Sequence, residues 1–395
     1  MKYRIHTLGC KLNFAESSTI ARRLELQGYT KAEPHEQVSL TIINSCSVTA
    51  TSDKKTREII RRTARENPGG ELIVTGCYAA LKADEIAAIK GVTRVVADKS
   101  KLLEQNCENS FFSAFSCGDR TRAYLKIQDG CNYHCAYCTI PLARGESRNI
   151  PINELIEQAQ QIAERGQREI VLTGVNVGDF GRSTGESFLE LLEALEGVQG
   201  IERYRISSIE PNLLTDEILD FCTTSHKFMP HFHIPLQAGT DKILGLMRRR
   251  YVIAKFAERV DAVHRHMPDS FIGIDIIVGF PGESSDDFAA TITFLEQIRP
   301  SFLHIFPYSE RANTPAISFP GKVSPQEKAS RVHQLTELSD RLHAEFVARF
   351  KGQKRTILVE SAHKKEQMFG YTDNYIRLAI PYDRDKINQI VEVEL

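Results

Sequence analysis

The feature that most restricts the fold of this chain is a repeated alternation of β-rich and helical stretches between residues 122 and 322. Six strand-like runs occur there, separated by amphipathic helical patterns: "AYLKIQ", "EIVLTG", "YRISSI", "HFHIPL", "FIGIDIIVGF" and "SFLHIFPY". Strands that alternate with helices pair in parallel, because each helix returns the chain to the same edge of the sheet. Six such units predict a partial (β/α)6 barrel, smaller than the closed eight-unit form.

Two smaller regions flank this barrel, so the fold class is α/β with three domains. Residues 1–97 alternate three strand-like runs with helical stretches, which predicts an open parallel α/β domain. Residues 98–121 show weak periodicity and are expected to form a connector. The barrel and a long helix after it take residues 122–350. Residues 351–395 contain four short β-rich runs at close spacing, typical of a small antiparallel β-barrel.

Composition places the chain in a class and a compartment. Its 395 residues are 42% hydrophobic and 26% charged, as in globular proteins of two or three domains. The N-terminus lacks a signal peptide and the apolar runs are too short to cross a bilayer, so we expect a cytoplasmic protein with no membrane partner. Disulfides are rare there, so the nine cysteines favour metal or redox chemistry. Because the net charge is only −1, any nucleic-acid partner must be bound by local basic patches.

Three cysteines, Cys131, Cys135 and Cys138, lie within eight residues, just after the first predicted barrel strand. Their Cys-x3-Cys-x2-Cys spacing has neither the distant second pair of a usual zinc site nor the fourth cysteine of a ferredoxin. Three thiolates can bind three irons of a cubane and leave the fourth open to a small molecule. Since the loops after barrel strands form the active face, the motif predicts a catalytic [4Fe–4S] cluster. A structural zinc site is the alternative.

This motif, with an aromatic residue before its last cysteine, resembles the radical S-adenosyl-L-methionine (SAM) superfamily. Two later segments, "LTGVNVGDFG" and "RISSIEP", resemble the parts of that superfamily near the SAM amino group and ribose. The resemblance implies SAM and a [4Fe–4S] cluster as cofactors. It also gives five candidate cofactor-binding residues: Tyr137, Gly174, Asn176, Ser208 and Glu210.

A second cysteine set follows the three N-terminal strand-like runs: Cys10, Cys46 and Cys77. Ligands of an open parallel sheet lie beyond the carboxyl ends of its strands, so these thiols are expected to converge. Three repeats of strand, small residue and cysteine favour an auxiliary [4Fe–4S] cluster over three cysteines packed as small hydrophobic residues. The other cysteines fit neither set and are interpreted as structural: Cys107, Cys117 and Cys222.

The order of these regions resembles one family over nearly the whole chain, the methylthiotransferases. The segments "HIPLQAGTDKILGLMRRRY", "GFPGE" and "FPYSERANTPA" resemble its core, and the C-terminal region resembles its RNA-binding, OB-like TRAM domain. "GYTDNYIRLAIP" most resembles the branch that acts on N6-threonylcarbamoyladenosine in tRNA. Methylthiotransferases of isopentenyladenosine tRNA or of a ribosomal-protein aspartate remain alternatives. A zinc- and RNA-binding module is the non-enzymatic one.

The resemblance implies a transferase that methylthiolates carbon 2 of N6-threonylcarbamoyladenosine at position 37 in the tRNA anticodon loop. That carbon carries an unactivated hydrogen, which acid–base catalysis does not easily replace. In the family's mechanism, the cluster of the CxxxCxxC motif generates a 5′-deoxyadenosyl radical from SAM, and the auxiliary cluster delivers the methylthio group. This chemistry also requires a reduced electron donor and a sulfur source as partners. The oligomeric state is not predicted.

Basic and aromatic residues give weaker indications of RNA binding. The helical stretch "SDKKTREIIRRTARE" holds six basic residues against three acidic ones, although such a stretch is more often a solvated face. Candidate RNA contacts are basic residues of "MRRRY" and aromatic residues of the C-terminal region: Arg248, Arg249, Arg250, Tyr371 and Tyr375. Two histidines alternate along one strand and are expected to lie in the barrel core rather than to bind iron: His231 and His233.

Overall fold

The computed structural model describes residues 1–102 and 111–395 of the chain. Within residues 1–102, a five-stranded parallel sheet has the order β2-β1-β3-β4-β5. The central strand is fully buried, as expected when helices cover both faces of a parallel sheet. The three predicted strands are present, and two short edge strands were not predicted. The strands are β1 Lys2–Thr7, β2 Thr30–Lys31, β3 Leu40–Ser45, β4 Glu71–Gly76 and β5 Arg94–Val96; the helices are α1 Lys11–Leu26, α2 Ala50–Glu66, α3 Cys77–Leu81 and α4 Ala83–Ala87.

The predicted six-stranded partial barrel is confirmed. Its strands form two parallel three-stranded sheets, joined where Ser208 bridges to His233 and Tyr204 to Phe228. The strands are β6 Arg122–Lys126, β7 Glu169–Thr173, β8 Arg203–Ile206, β9 His231–His233, β10 Phe271–Val278 and β11 Phe302–Pro307. The helices are α5 Ile140–Arg144, α6 Ile152–Glu164, α7 Phe188–Glu196, α8 Asp216–Thr224, α9 Asp241–Leu246, α10 Ile253–His266, α11 Ser285–Ile298 and α12 Pro325–Ala348. In the part of the chain that the structure describes, no helix is both long and apolar enough to span a bilayer.

The N-terminal sheet and the barrel share a hydrophobic core. Residues 114–116 of the connector pair antiparallel beside β6, with the Ser116 amide donating to the Tyr124 carbonyl at 2.8 Å. Helix α1 packs on the same segment, where the Thr19 hydroxyl bonds to the Phe115 backbone at 3.1 Å. Apolar residues of both regions form one buried cluster, which includes Tyr3, Ile20, Phe112, Tyr124 and Val171. This shared core fixes the positions of the two cysteine sets relative to each other.

The C-terminal region is a curled antiparallel sheet of the expected OB-like type, in the order β14-β13-β12-β15. It docks on the barrel at the amino ends of the parallel strands. Arg203 donates to the Thr356 carbonyl at 2.9 Å, and Arg205 donates to the carbonyls of Thr372 and Asp373, both at 2.8 Å. The sheet therefore lies opposite the active face. Its strands are β12 Lys354–Lys364, β13 Gln367–Thr372, β14 Arg377–Pro381 and β15 Ile390–Glu394.

Candidate active site

The first cysteine set lies on the loop between β6 and α5, at the carboxyl end of the barrel. Gly130 enters this loop at φ +70°, and a Cβ there would lie 1.9 Å from the Glu146 carbonyl oxygen, so the turn requires glycine. The Cys131 amide donates to the Gly145 carbonyl at 3.0 Å, and the Ala136 amide donates to the Met247 carbonyl at the same distance. These bonds hold the loop in place without using the thiols.

Hydrogen-bond donors point at the sulfur atoms of this loop. The Tyr133 amide donates to Cys131 Sγ at 3.3 Å, and the Ile140 amide donates to Cys138 Sγ at 3.4 Å. Burial, together with the neighbouring thiols, raises the pKa of Cys131 to about 11 and that of Cys138 to about 12. As free thiols they would be protonated at neutral pH. A metal ligand has to be the thiolate, so binding would release these protons.

Arg249 lies at this site rather than on the surface. Its side chain is 3% exposed, and it donates to Cys135 Sγ at 3.1 Å and to the Tyr137 hydroxyl at 3.5 Å. The same guanidinium pairs with Glu210. Burial raises the pKa of Glu210, and Arg249 opposes that rise. The predicted cofactor-binding residues Tyr137 and Glu210 are thus brought together by an arginine that we expected to contact RNA.

Gln128 joins the first cysteine loop to the glycine-containing loop after β7. Its side-chain oxygen accepts from the amides of Val175 and Asn176 at 2.9 and 3.0 Å, and its amide nitrogen donates to the Gly130 carbonyl at 2.8 Å. A Cβ at Gly174 would lie 2.9 Å from the Gln128 oxygen, so this glycine makes room for the glutamine. No local pattern in the sequence indicates this role, because the first backbone amide that Gln128 holds, that of Val175, lies 47 residues further along the chain.

The loops after β7 and β8 are also in contact. The Val177 amide donates to the Ser208 carbonyl at 3.2 Å, and the Glu210 amide donates to the Asn176 side-chain oxygen at 3.4 Å. Asn176 is buried, and within the described residues its side-chain nitrogen has no hydrogen-bond partner. A buried donor without a partner is costly unless a ligand or water accepts from it. The five candidate cofactor-binding residues therefore belong to three adjoining loops, joined through Gln128 and Arg249.

The second cysteine set follows three neighbouring strands of the N-terminal sheet, β1, β3 and β4. Cys10 precedes α1, Cys46 follows β3 directly, and Cys77 begins α3. A Cβ at Gly9, which has φ +97°, would lie 2.7 Å from Cys46 Sγ, so the chain at Cys10 passes directly beside Cys46. Burial raises the pKa of Cys46, and both other thiols raise it further, which places the three within electrostatic range of one another. The chain thus passes beside Cys46 just before Cys10, and Cys77 lies within electrostatic range of both.

A buried ion network connects the two cysteine sets. The Arg144 guanidinium, at the end of α5, contacts Glu16 of α1 at 3.0 Å, Asp129 at 2.9 Å and the Asn13 side-chain oxygen at 2.8 Å. Although burial opposes the shift, the surrounding cations hold the pKa of Glu16 and of Asp129 well below its usual range. Lysines complete the network through Lys99–Glu16 at 2.6 Å, Lys126–Glu16 at 3.1 Å and Lys126–Asp129 at 2.6 Å.

Arg144 also acts on the second set directly. It is within electrostatic range of Cys10 and Cys77, and it opposes the rise in the Cys10 pKa that burial causes. Helix α3, which begins at Cys77, packs against α5. The two cysteine sets are therefore parts of one rigid assembly, with a cation between them.

The segment after β11 contacts both cysteine loops. Arg311 donates to the Ser47 hydroxyl at 2.7 Å and pairs with Asp53 at 2.9 Å, which holds the chain just after Cys46. Five residues later, the Ala316 amide donates to the Ala136 carbonyl between the first-set cysteines at 2.9 Å. "SERANTPA" therefore positions both loops, a role that sequence reasoning did not assign to it.

Within residues 1–102 and 111–395, no three Cys, His, Asp or Glu side chains are grouped closely enough to hold a single metal ion.

The remaining predicted residues divide between the surface and the domain interface. Arg248 and Arg250 are exposed, and Arg250 stacks 4.0 Å above the Tyr133 ring. Tyr371 and Tyr375 stack with ring centroids 4.7 Å apart. Tyr375 also lies 4.2 Å from the His231 ring and accepts from Arg122 at 3.4 Å, so it packs between the C-terminal sheet and the barrel.

The two histidines and the remaining described cysteines belong to the barrel. His231 is buried in the barrel as expected, while His233 is half-buried and bonds to Asp275 at 2.8 Å. Cys117 and Cys222 are buried in the barrel core, and Cys107 lies outside the described residues.

Comparison with known proteins gives a matching family for each of the three regions of the chain. Residues 2–98 match the Uncharacterized protein family UPF0004, residues 125–295 the Radical SAM superfamily, and residues 348–395 the TRAM domain. Threonylcarbamoyladenosine tRNA methylthiotransferase MtaB of Bacillus subtilis is 40% identical over 99% of this chain and 92% of the relative. The tRNA-2-methylthio-N(6)-dimethylallyladenosine synthase of Syntrophus aciditrophicus is 33% identical over 91% of this chain and 84% of the relative.

Among solved structures, the radical S-adenosylmethionine methyltransferase TsrM of Kitasatospora setae has a similar fold. Its TM-score is 0.56 at 12% identity, over 80% of this chain and 76% of that chain.

Proposed function

The chain belongs to the radical SAM tRNA methylthiotransferase family, and from this premise we propose that it methylthiolates carbon 2 of N6-threonylcarbamoyladenosine at position 37 in the tRNA anticodon loop. The observation that carries the proposal is the joining of two three-cysteine sets through Arg144 and the packing of α3 on α5. The substrate assignment is supported by the higher identity to the relative named for threonylcarbamoyladenosine, 40%, than to the dimethylallyladenosine synthase, 33%.

We assign one cofactor to each cysteine set. Thiolates are soft ligands, and three of them suit a [4Fe–4S] cluster with one open iron. The cluster used with SAM is assigned to Cys131, Cys135 and Cys138, and an auxiliary cluster to Cys10, Cys46 and Cys77. When bound, the first cluster and SAM supply a radical that removes hydrogen from an unreactive carbon, and the second supplies the sulfur. A reduced electron donor and a sulfur source are the partners that this assignment requires.

The chain's own residues position these groups and exclude water. Arg249 holds the Cys135 sulfur and Glu210 in fixed places, and Gln128 fixes the two loops on either side of the first set. We assign SAM binding to the adjoining residues named above, with the buried Asn176 side-chain nitrogen free to donate to SAM. Rigid placement of this kind is what the protein contributes when a cofactor carries the reaction.

RNA binding is assigned to the active face and the C-terminal sheet. Arg248 and Arg250 are exposed next to the first cysteine loop, where they can contact phosphate groups. Tyr371 is half-buried against Tyr375 and Arg122, and we assign stacking on an unpaired base to the part of its ring that stays accessible. Tyr375 and Arg249 are engaged in internal contacts. The target base has to leave its stack to reach the cysteine sites, which a loop nucleotide does at low cost.

Iron analysis of anoxically reconstituted protein tests the cofactor assignment. We expect about eight irons per chain, and about four after either cysteine set is replaced by alanine. Cys222→Ala, in the barrel core, is the matched control and should leave the iron content unchanged. A single bound zinc and no iron would contradict the assignment.

A further inference from the structure

Lys11, directly after Cys10, is a recessed cation without a partner. It is the first residue of α1 and is half-buried. Within the described residues, no hydrogen bond or ion pair engages its ammonium group, although Asp275, Tyr375 and Cys10 lie within electrostatic range. A recessed ammonium group of this kind is stabilised by an anion that enters the recess.

Polar side chains on three neighbouring barrel strands face the same space. His233 of β9 bonds to Asp275 of β10 at 2.8 Å, and the rings of His233 and His304 lie 5.0 Å apart. All three side chains are half-buried, so each keeps part of its surface accessible to a small molecule. Asp275 is within electrostatic range both of Lys11 and of Glu210 at the first cysteine site. Asp275 is therefore close enough to residues of both cysteine sites to interact with them electrostatically.

We propose that the recess formed by Lys11, His233, Asp275 and His304 binds the threonylcarbamoyl substituent of the target base, with Lys11 pairing with its carboxylate. The inference rests on the proposed function, and it identifies Lys11 as the residue that selects the substituent of the target base. The substituent carries a urea, a hydroxyl and a carboxylate, which match the donors and acceptors of this wall. The carboxylate of Asp275 is already held by His233, which leaves Lys11 as the group that favours a negative charge.

The same wall explains discrimination against a dimethylallyl substituent. That group has no polar atom, so burying it here would leave the Lys11 ammonium group without a negatively charged partner. A site built to bond polar groups rejects an apolar analogue strongly for this reason.

Binding of two anticodon stem-loop RNAs to the reconstituted enzyme tests the proposal. One RNA carries threonylcarbamoyladenosine, and the other carries the same base with its carboxylate replaced by a carboxamide. Wild-type protein should bind the carboxylate RNA about 10-fold more tightly or more, the effect of one charge-assisted hydrogen bond. Lys11→Met should bind both RNAs equally, Lys11→Arg should restore part of the preference, and Lys82→Met, at an exposed position, should keep all of it.

The measured quantity is the affinity ratio, which a general loss of folding or of iron does not change. An unchanged ratio in Lys11→Met would overturn the proposal. The charge of Lys11 would then act on the neighbouring Cys10 thiol rather than on the substrate. No preference in the wild-type protein would overturn it as well. Failure of the proposed function looks different, because the wild-type enzyme would then leave threonylcarbamoyladenosine tRNA unmodified whatever the ratio.

Discussion

Replacement of Arg144 by methionine tests whether the two cysteine sets depend on one buried network. Methionine fills part of the space but removes the contacts with Glu16, Asp129 and Asn13, at 2.8 to 3.0 Å. Breaking a buried ion pair costs about 3–5 kcal/mol. Lys126 continues to contact both carboxylates, at 2.6 and 3.1 Å, so we expect the lower end, about 3 kcal/mol.

Thermal unfolding of the protein measures this cost. With about 2.1 cal/mol/K per residue over the roughly 300 residues that share the core, about 3 kcal/mol lowers the midpoint by about 5 °C. Arg341→Met removes an exposed pair with Glu296 and should change the midpoint by less than about 2 °C. Because Arg144 offsets negative charge at Cys10 and Cys77, the variant should also lose iron from the auxiliary set before the first. A variant with wild-type midpoint and iron content would show that the two cysteine sets do not depend on this network.

The same network sets an acid limit to stability. The folded-state pKa values of Glu16 and Asp129 are lowered, so the unfolded chain, with values of about 4.3 and 3.9, binds protons first as the pH falls. The two carboxylates therefore make their full contribution to the free energy of unfolding above about pH 5, and this contribution is lost progressively below about pH 4. In Arg144→Met the pKa values of both carboxylates should be lowered less. The free energy of unfolding, measured at a series of pH values, should therefore fall less steeply in acid than in the wild type.

Three further predictions follow from other contacts. Gly9→Ala should lose the auxiliary iron, about four of eight, because its methyl group would meet Cys46 Sγ at 2.7 Å; Gly28→Ala, with a similar positive φ and open space around it, should keep all of it. Arg249→Met removes the bond to Cys135 Sγ, and we expect SAM cleavage about 10- to 100-fold slower and an altered electron paramagnetic resonance signal, at unchanged iron content. Arg205→Met leaves Glu169 buried without its 2.8 Å partner and frees two carbonyls of the C-terminal sheet, so limited proteolysis should release residues 351–395 faster than in the wild type.

The positions of most strands could be predicted from hydrophobic periodicity in the sequence. The six barrel strands and the four C-terminal strands follow from local patterns, and the placement of three cysteines after neighbouring parallel strands follows from the order of those strands. The edge strands β2 and β5 were missed because runs of two and three residues are too short to show a period. They add edges to the N-terminal sheet without changing the position of the cysteines.

Polar contacts between residues far apart in the chain could not be predicted from the sequence. Arg144 meets Glu16 across 128 residues, and Arg311 meets Ser47 across 264, so no window of sequence contains both partners. Arg249 was misleading for a related reason. Three consecutive arginines indicate positive charge but not direction, and the turn at Arg248, with φ +58°, sends the next side chain inward to Cys135. A run of basic residues predicts a basic surface only if the fold exposes all of their side chains.

The most direct test of the account is nucleoside mass spectrometry of two tRNAs after incubation with the reconstituted protein, SAM, a reductant and sulfide. One tRNA carries threonylcarbamoyladenosine and the other isopentenyladenosine. We predict 2-methylthio-N6-threonylcarbamoyladenosine in the first tRNA and an unchanged base in the second. Methylthiolation of the isopentenyladenosine tRNA alone, or of neither tRNA by protein with its full iron content, would contradict the account.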